Sequence, residues 1–320
     1  MIEINGLSKV FGTQRAVDDV SFRVEEGEIM GFLGPNGAGK STTMNILTGY
    51  LSATSGTCRV NGIDILENPL EAKRNIGFLP EMPPLYTDMT VKEYLSFIYD
   101  LKGCTFPRNQ HLREICDVVK IGDVYDRLIG NLSKGYRQRV GIAQALLGNP
   151  EVIILDEPTV GLDPRQIIEI RELITELGRD HTVILSSHIL SEVQAVCQTI
   201  LIINKGKLIA CDTPDNLEKR FAGKIAMELT VETDNIDAKR VLSQVERVTA
   251  STVLSENRVE GQNKTVCRLA LEVSGLADQE LCREIFFAFA KENKAILEMK
   301  SVKATLEDIF IELTGKGAAK

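Results

Sequence analysis

Apolar and polar residues alternate along positions 2–10 and again along 16–24, and the second run ends at Glu25-Glu26-Gly27. A period of two marks strands with one covered face, so the chain is predicted to begin with antiparallel strands, with Phe11 between them. An unbroken apolar run comes next, Ile29-Met30-Gly31-Phe32-Leu33, then a glycine-rich stretch, then the helix-like Thr43-Met44-Asn45-Ile46-Leu47. A strand is predicted over 56–60 with a turn at Asn61-Gly62, and the continuous apolar character of Ile76-Gly77-Phe78-Leu79 suits a buried strand. From 82 to 148 the period changes. Pro83-Pro84 breaks regular structure, and segments 91–101, 108–119 and 133–147 carry apolar residues at helical spacing with no strand between them. This predicts a helical insert.

Strand patterns return at 152–155 and 182–185, separated by a helix over 165–177 that starts after Pro164. Strand, helix, strand in buried-sheet style implies parallel crossovers and an α/β fold. Segments 200–204 and 207–210, joined at Lys205-Gly206, read as a hairpin that closes this first domain, with a boundary expected at 220–223. Beyond it the pattern restarts as strand 225–231, helix 238–245, strands 248–254 and 265–273, helix 279–291 and strand 295–302. That order is a βαββαβ split unit. A last helix over 305–314 has Thr305 as its cap and Glu307 and Asp308 in its first turn. The expected organisation is a domain over 1–220, with its helical part at about 82–150, and a small α+β domain over 224–320 with a structural or regulatory role.

Composition narrows the function classes. The 320 residues carry a formal net charge of −8 with both signs interspersed, so there is no basic footprint for nucleic acid and no polybasic membrane anchor. Seven scattered cysteines without a Cys-x-x-Cys pair argue against a disulfide framework or a zinc site and fit a reducing cytoplasm. The first residues lack a basic segment followed by an apolar one, and no stretch approaches the roughly 20 apolar residues of a membrane span. Any membrane role is therefore expected to come through a partner.

The glycine-rich stretch is Gly34-Pro35-Asn36-Gly37-Ala38-Gly39-Lys40-Ser41-Thr42. Gly, four residues, then Gly-Lys-Ser lets backbone N–H groups turn inward around an anion, and the helix after it aims the positive end of its dipole at the same point. Lys40 would reach the β- and γ-phosphates of a nucleotide, and the Ser41 hydroxyl would ligand Mg²⁺. A second motif, Val152-Ile153-Ile154-Leu155-Asp156-Glu157, is an apolar strand ending in two carboxylates. In a parallel sheet, ligands collect at the C-terminal strand ends, so Asp156 would hold Mg²⁺ through water and Glu157 would polarise the attacking water as general base. A third, Leu132-Ser133-Lys134-Gly135-Tyr136-Arg137-Gln138-Arg139, places Ser133 at a helix N-cap and Gly135 where an anion can approach the backbone. Two anion sites in one chain suggest a head-to-tail dimer in which each Ser133–Gly135 turn closes over ATP held by the other copy's Lys40 loop.

Together with Gly161-Leu162-Asp163-Pro164 and Ser187-His188, these motifs stand in the order and spacing of the ATP-binding cassette ATPases, which residues 1–220 resemble. The resemblance implies a P-loop NTPase fold with a mainly parallel core sheet, an antiparallel β subdomain and a helical subdomain. It also implies that Phe11 stacks on adenine, that Ser133 and Gly135 are signature contacts, that Asp163 belongs to the dimer-communicating loop and that His188 contacts the γ-phosphate. Two departures stand out. Glu81 replaces a frequent glutamine and is expected on the metal side with Ser41 and Asp156, and Lys134-Gly135-Tyr136 replaces the usual Gly-Gly-Gln. Both, and the tail Ala304-Thr305-Leu306-Glu307-Asp308-Ile309-Phe310, resemble the ATPases of ABC-2-type exporters, including gliding-motility and multidrug-type subunits.

The expected function is a Mg-ATP-hydrolysing subunit, acting as a homodimer on the cytoplasmic face of the membrane and driving integral membrane permease subunits that dock near 83–101. One rival is a soluble cassette ATPase of ribosomes or chromosomes, which would need a second cassette or a long coiled coil. Another is a nucleotide-binding regulator without turnover, against which the intact Lys40, Asp156, Glu157 and His188 set stands.

Overall fold

The computed structural model describes residues 1–221, 227–258, 264–274 and 278–301 and positions 306, 307, 310 and 314. The chain divides into two compact units, Met1–Pro214 and Asp215–Lys320.

The first unit opens with β1 (Ile2–Phe11) and β2 (Gln14–Val24), an antiparallel pair whose alternate residues are buried. β3 (Ile29–Leu33), buried throughout, leads into α1 (Lys40–Leu47). Next come β4 (Ser55–Val60), β5 (Ile63–Asp64), α2 (Pro69–Arg74) and β6 (Ile76–Leu79). The three predicted helices of the insert are α3 (Val91–Leu101), α4 (Arg108–Val118) and α5 (Lys134–Leu146). Thr90 starts α3 with a capping box, accepting from the Glu93 N–H at 3.2 Å while the Glu93 carboxylate accepts from the Thr90 N–H at 2.8 Å. Hydrogen bonds from the Thr90 N–H and hydroxyl hold the Glu93 carboxyl below the usual range. β7 (Val152–Asp156), α6 (Pro164–Leu177), β8 (Thr182–Ser187), α7 (Leu190–Val196), β9 (Thr199–Asn204) and β10 (Lys207–Asp212) complete the alternation, and α8 (Pro214–Phe221) starts on the unit's last residue and belongs otherwise to the second unit. The hairpin expected at Lys205-Gly206 is the antiparallel pair β9–β10.

Two sheets share one core. The antiparallel sheet runs β2-β1-β4-β5, and the main sheet runs β10-β9-β3-β8-β7-β6, parallel except for its β10 edge. Ile2, Ile4 and Leu7 of the first sheet and Phe32, Ile154 and Ile184 of the second belong to one buried cluster with Met44, Ile46 and Leu47 of α1. Each such side chain contributes roughly 1.5–3 kcal/mol by leaving water, so α1 is fixed from both sides. Sequence periodicity missed α2, α7 and α8: each has eight residues or fewer, too short to display a helical period.

The second unit has β11 (Met227–Val231), α9 (Asn235–Leu242), β12 (Val248–Arg258), β13 (Thr265–Val273), α10 (Gln279–Lys291) and β14 (Ile296–Ser301). All strands are antiparallel in the order β12-β13-β11-β14, the arrangement of a split βαβ unit. Its core is apolar, with Leu229, Leu269, Val241 and Phe289 fully buried. Positions 222–223 of the expected boundary, 225–226 and 302 of the expected strands, and most of the helix expected over 305–314 lie outside the described residues.

Candidate active site

The turn between β3 and α1 takes its shape from the start of the helix. Gly39 is the N-cap of α1 with φ 109° and no side-chain cap, so the first-turn N–H groups of the helix point outward without a capping partner. A side chain at Gly39 is excluded twice: the dihedral is left-handed, and a Cβ would stand 2.6 Å from the Ala16 carbonyl oxygen. Lys40, the first helical residue, is buried; its Nζ donates to the Gly34 carbonyl at 2.8 Å and lies 3.5 Å from Glu157 Oε1.

Parallel pairing of β7 with β8 sets the rest. Asp156 pairs in register with Ser186, so the residues after each strand, Glu157 and His188, emerge side by side. His188 Nδ1 lies 2.8 Å from Glu157 Oε2, and the Glu157 N–H donates to the Ser186 carbonyl at 3.0 Å. Glu157 has φ 50°, left-handed backbone in a residue that precedes a proline. L-residues avoid that region, and the neighbouring ring disfavours helical backbone further, so the surrounding hydrogen bonds hold a strained turn that throws the carboxylate toward Lys40.

Lys40, Glu157 and His188 line a cavity of about 790 Å³ with Phe11, Asn36, Gly37, Gly39, Ser41, Thr42 and Glu81. Phe11 ends β1 and is 46 % exposed, with the Lys9 ammonium 5.1 Å from its ring centre, so it is no core residue. Gly34 and Ala38 sit behind the wall: Gly34 receives Lys40, and the Ala38 carbonyl accepts from the Gly206 N–H. Asp156 is also behind it, buried, with Oδ1 lacking any hydrogen-bond partner, beside a Ser186 hydroxyl in the same condition. An orphaned carboxylate oxygen at a strand end, with Ser41 on the cavity wall, is a hard-oxygen donor set that fits Mg²⁺. Among the described residues no three His, Cys, Asp or Glu side chains form a metal cage.

Ser133, Gly135 and Asp163 are not brought to this cavity. Ser133 caps α5, accepting from the Tyr136 N–H at 3.4 Å, and Asp163 caps α6, accepting from the Gln166 N–H at 3.0 Å. The two turns touch each other, with Lys134 reaching over Gly161 and Gln166 covering Gly135. The cavity also has walls that sequence reasoning missed: Gln14, Arg15 and Ala16 from the start of β2, Val160, and Lys205 and Gly206 from the β9–β10 turn. No local pattern marks them: Lys205 and Gly206 arrive through the pairing of β9 with β3, and β2 meets that turn through the Asp18 N–H donating to the Gly206 carbonyl.

Comparison with known proteins finds similarity across the chain. The family described as ABC transporter matches residues 17–160. Over 321 aligned positions the chain is 33 % identical to the bacitracin transport ATP-binding protein BcrA of Bacillus licheniformis, spanning 99 % of this chain and 98 % of that protein. It is 31 % identical to the linearmycin resistance ATP-binding protein LnrL of Bacillus subtilis (strain 168), spanning 99 % of both. Among solved structures, the dimeric structure of a bacterial ABC transporter cassette superposes with a TM-score of 0.61 at 25 % identity, covering 67 % of this chain and 98 % of that one.

Proposed function

The chain belongs to the ABC transporter family as an ATP-binding, ATP-hydrolysing subunit, and on that premise we propose that two copies close over two Mg-ATP and drive export through membrane permease subunits. The observation that carries the reading is the Lys40–Glu157–His188 cluster on the wall of the cavity beside α1. The N–H groups of the Gly37–Thr42 turn and Lys40 bind the phosphates, and Phe11 offers its exposed face to the adenine. Glu157 orients and polarises the attacking water, and its strained backbone keeps the carboxylate aimed at the γ-phosphate position. His188, hydrogen-bonded through Nδ1, holds the γ-phosphate through its other ring nitrogen. Ser41, Asp156 and Glu81 are the side chains placed to hold Mg²⁺, which supplies charge neutralisation on the phosphates when bound.

Ser133, Gly135 and Asp163 stand away from the unit's own cavity, and in this reading they complete the site of the second copy. The existence of a dimeric cassette among the matched structures supports that arrangement. No helix among the described residues is long and apolar enough to cross a membrane, so we assign the membrane passage to the permease and the subunit to its cytoplasmic face. The segment 83–101, just after Glu81, is the proposed docking element, since a loop holding the metal side of the site moves with the γ-phosphate. The names of the relatives, for bacitracin transport and linearmycin resistance, support export as the direction. The domain over 224–320 is assigned a structural or regulatory part.

Glu157→Gln is the direct test. The variant is expected to bind ATP, to hydrolyse it about a thousandfold more slowly and to elute as a dimer when ATP is present. Normal phosphate release would remove Glu157 from the base role, and a monomer at saturating ATP would remove the closed dimer.

A further inference from the structure

A second cluster of buried polar side chains lies behind the Glu157–His188 pair and takes no part in the chemistry described above. Thr159, Ser187 and Glu192 are 4 %, 0 % and 3 % exposed. Glu192 sits in the first turn of α7, and its Oε2 accepts from the Thr159 hydroxyl at 2.5 Å and from the Ser187 hydroxyl at 3.2 Å. The Ser187 oxygen in turn accepts from the Ile189 N–H at 3.0 Å. Thr159 lies one proline beyond Glu157, and Ser187 immediately precedes His188. One carboxylate oxygen therefore ties the loop leaving β7 to the loop leaving β8.

The helix that carries Glu192 is itself anchored to β3, the strand that leads into the phosphate-binding turn. Val193, the next residue, fills the notch left by Gly31 in β3, where a Cβ would stand 2.0 Å from Val193 Cγ1. A carboxylate removed from water and met by hydroxyl groups is an expensive way to fill a core, and hydrogen bonds to a charged acceptor are each stronger than neutral ones. Geometry is what such a group supplies. Its two donors fix the positions of the loops that hold Glu157 and His188 at 2.8 Å from each other.

We propose that Glu192 is a positioning residue for ATP hydrolysis, clamping the His188 loop to the Glu157 loop through Thr159 and Ser187. The inference rests on the role given to His188 above. Misplacement of a reacting group by about 1 Å is worth about a hundredfold in rate. Glu192→Ala in the full chain is therefore expected to lower kcat by about that factor while leaving ATP affinity within about threefold, since the phosphate-binding turn is untouched.

The test is a cycle of steady-state phosphate release with Glu192→Ala, His188→Ala and the double variant, with ATP affinity measured for each. If Glu192 works through His188, the double variant is no slower than His188→Ala alone; losses that multiply overturn the inference, as does Glu192→Ala at the normal rate. Glu192→Gln is expected to keep most of the turnover, because its amide oxygen accepts from both hydroxyls. An equal loss in Gln and Ala would overturn the clamp. Should Glu192→Ala fail to fold, Thr159→Val, which preserves shape, removes one donor and is expected to lower kcat about tenfold; a normal rate there overturns the inference. A His188→Ala variant at full rate overturns the site reading itself, a result distinct from slow His188→Ala beside fast Glu192→Ala.

Discussion

The two units of the chain bury different things. Among the described residues, the first unit encloses Lys40, Asp156, Glu157, Ser186, Ser187 and Glu192, and its orphaned buried polar atoms include Asp156 Oδ1 and the Ser186 hydroxyl. In the second unit the described buried polar side chain is Thr233. Its charges pair at the surface, as Arg240 with Glu292 and Arg268 with Glu228, where solvent leaves an ion pair with little net effect. The Lys40–Glu157 pair, 6 % and 7 % exposed at the side chains, is of another kind. Removing two charges from water can cost more than their attraction returns unless the geometry is good and further hydrogen bonds satisfy both groups, so such a pair is poor evidence of a purely stabilising role. Where the fold combines strain, orphaned oxygens and enclosed charge at one place, chemistry is the reason we give; where the described residues carry neither an orphaned buried oxygen nor an enclosed ion pair, the sequence is serving stability.

Substitutions in each unit should therefore separate turnover from stability. Lys40→Ala is expected to have the largest effect, lowering phosphate release about a thousandfold, or about 4 kcal/mol of barrier, with ATP affinity weakened as well. A fast Lys40→Ala would break the comparison at its centre. Phe289→Ala in the second unit removes a fully buried ring from an apolar core. It is expected to lower unfolding free energy by about 3 kcal/mol while hydrolysis per folded molecule stays within about twofold. Chemical denaturation and phosphate release on the same samples check both; a turnover loss matching Lys40→Ala would make the second unit part of the engine.

The same contrast explains what was legible in the sequence. The second unit's strands and helices emerge from hydrophobic period because burial alone decides them, as at Leu229, Leu269 and Phe289. The glycine-rich turn before α1 stood out because its motif is contiguous, from Gly34 to Thr42. Strand ends pointed to Asp156 and Glu157 from pattern, whereas His188 joined them only through the resemblance to the ATP-binding cassette ATPases. What escaped is non-local or conformational. The left-handed backbone of Glu157 runs against the preference of a residue before proline, and Arg15 and Lys205 reach the cavity only because the start of β2 and the β9–β10 turn, far apart in sequence, meet there. Phe11, a single aromatic at the end of a strand, gave no periodic signal to tell a core ring from an exposed one.

Not every buried polar group in the first unit belongs to the candidate site, and His111 sharpens that line with the smallest effect. It lies on α4, 7 % exposed, stacked on Phe106 at 4.7 Å, and its Nε2 accepts from the Gly148 N–H at 3.1 Å. Burial lowers its pKa from the ordinary 6.5, with Lys102 acting in the same direction and Glu114 opposing. A lowered folded-state pKa means that the unfolded chain takes up the proton first as pH falls. The stability that neutral His111 contributes is thus present above the unfolded value of 6.5 and is lost as pH falls below it toward the folded value. Protonation turns the Nε2 acceptor into a donor and forfeits the Gly148 hydrogen bond, worth about 1 kcal/mol. His111→Gln keeps an acceptor and removes the titration, so the loss of unfolding free energy between neutral pH and about pH 5.5, followed by denaturation at each pH, should be about 1 kcal/mol smaller in the variant. Identical pH slopes would show that the helical segment holds His111 for packing alone, and ATP turnover at neutral pH should be unchanged, since this ring is no wall of the cavity beside α1.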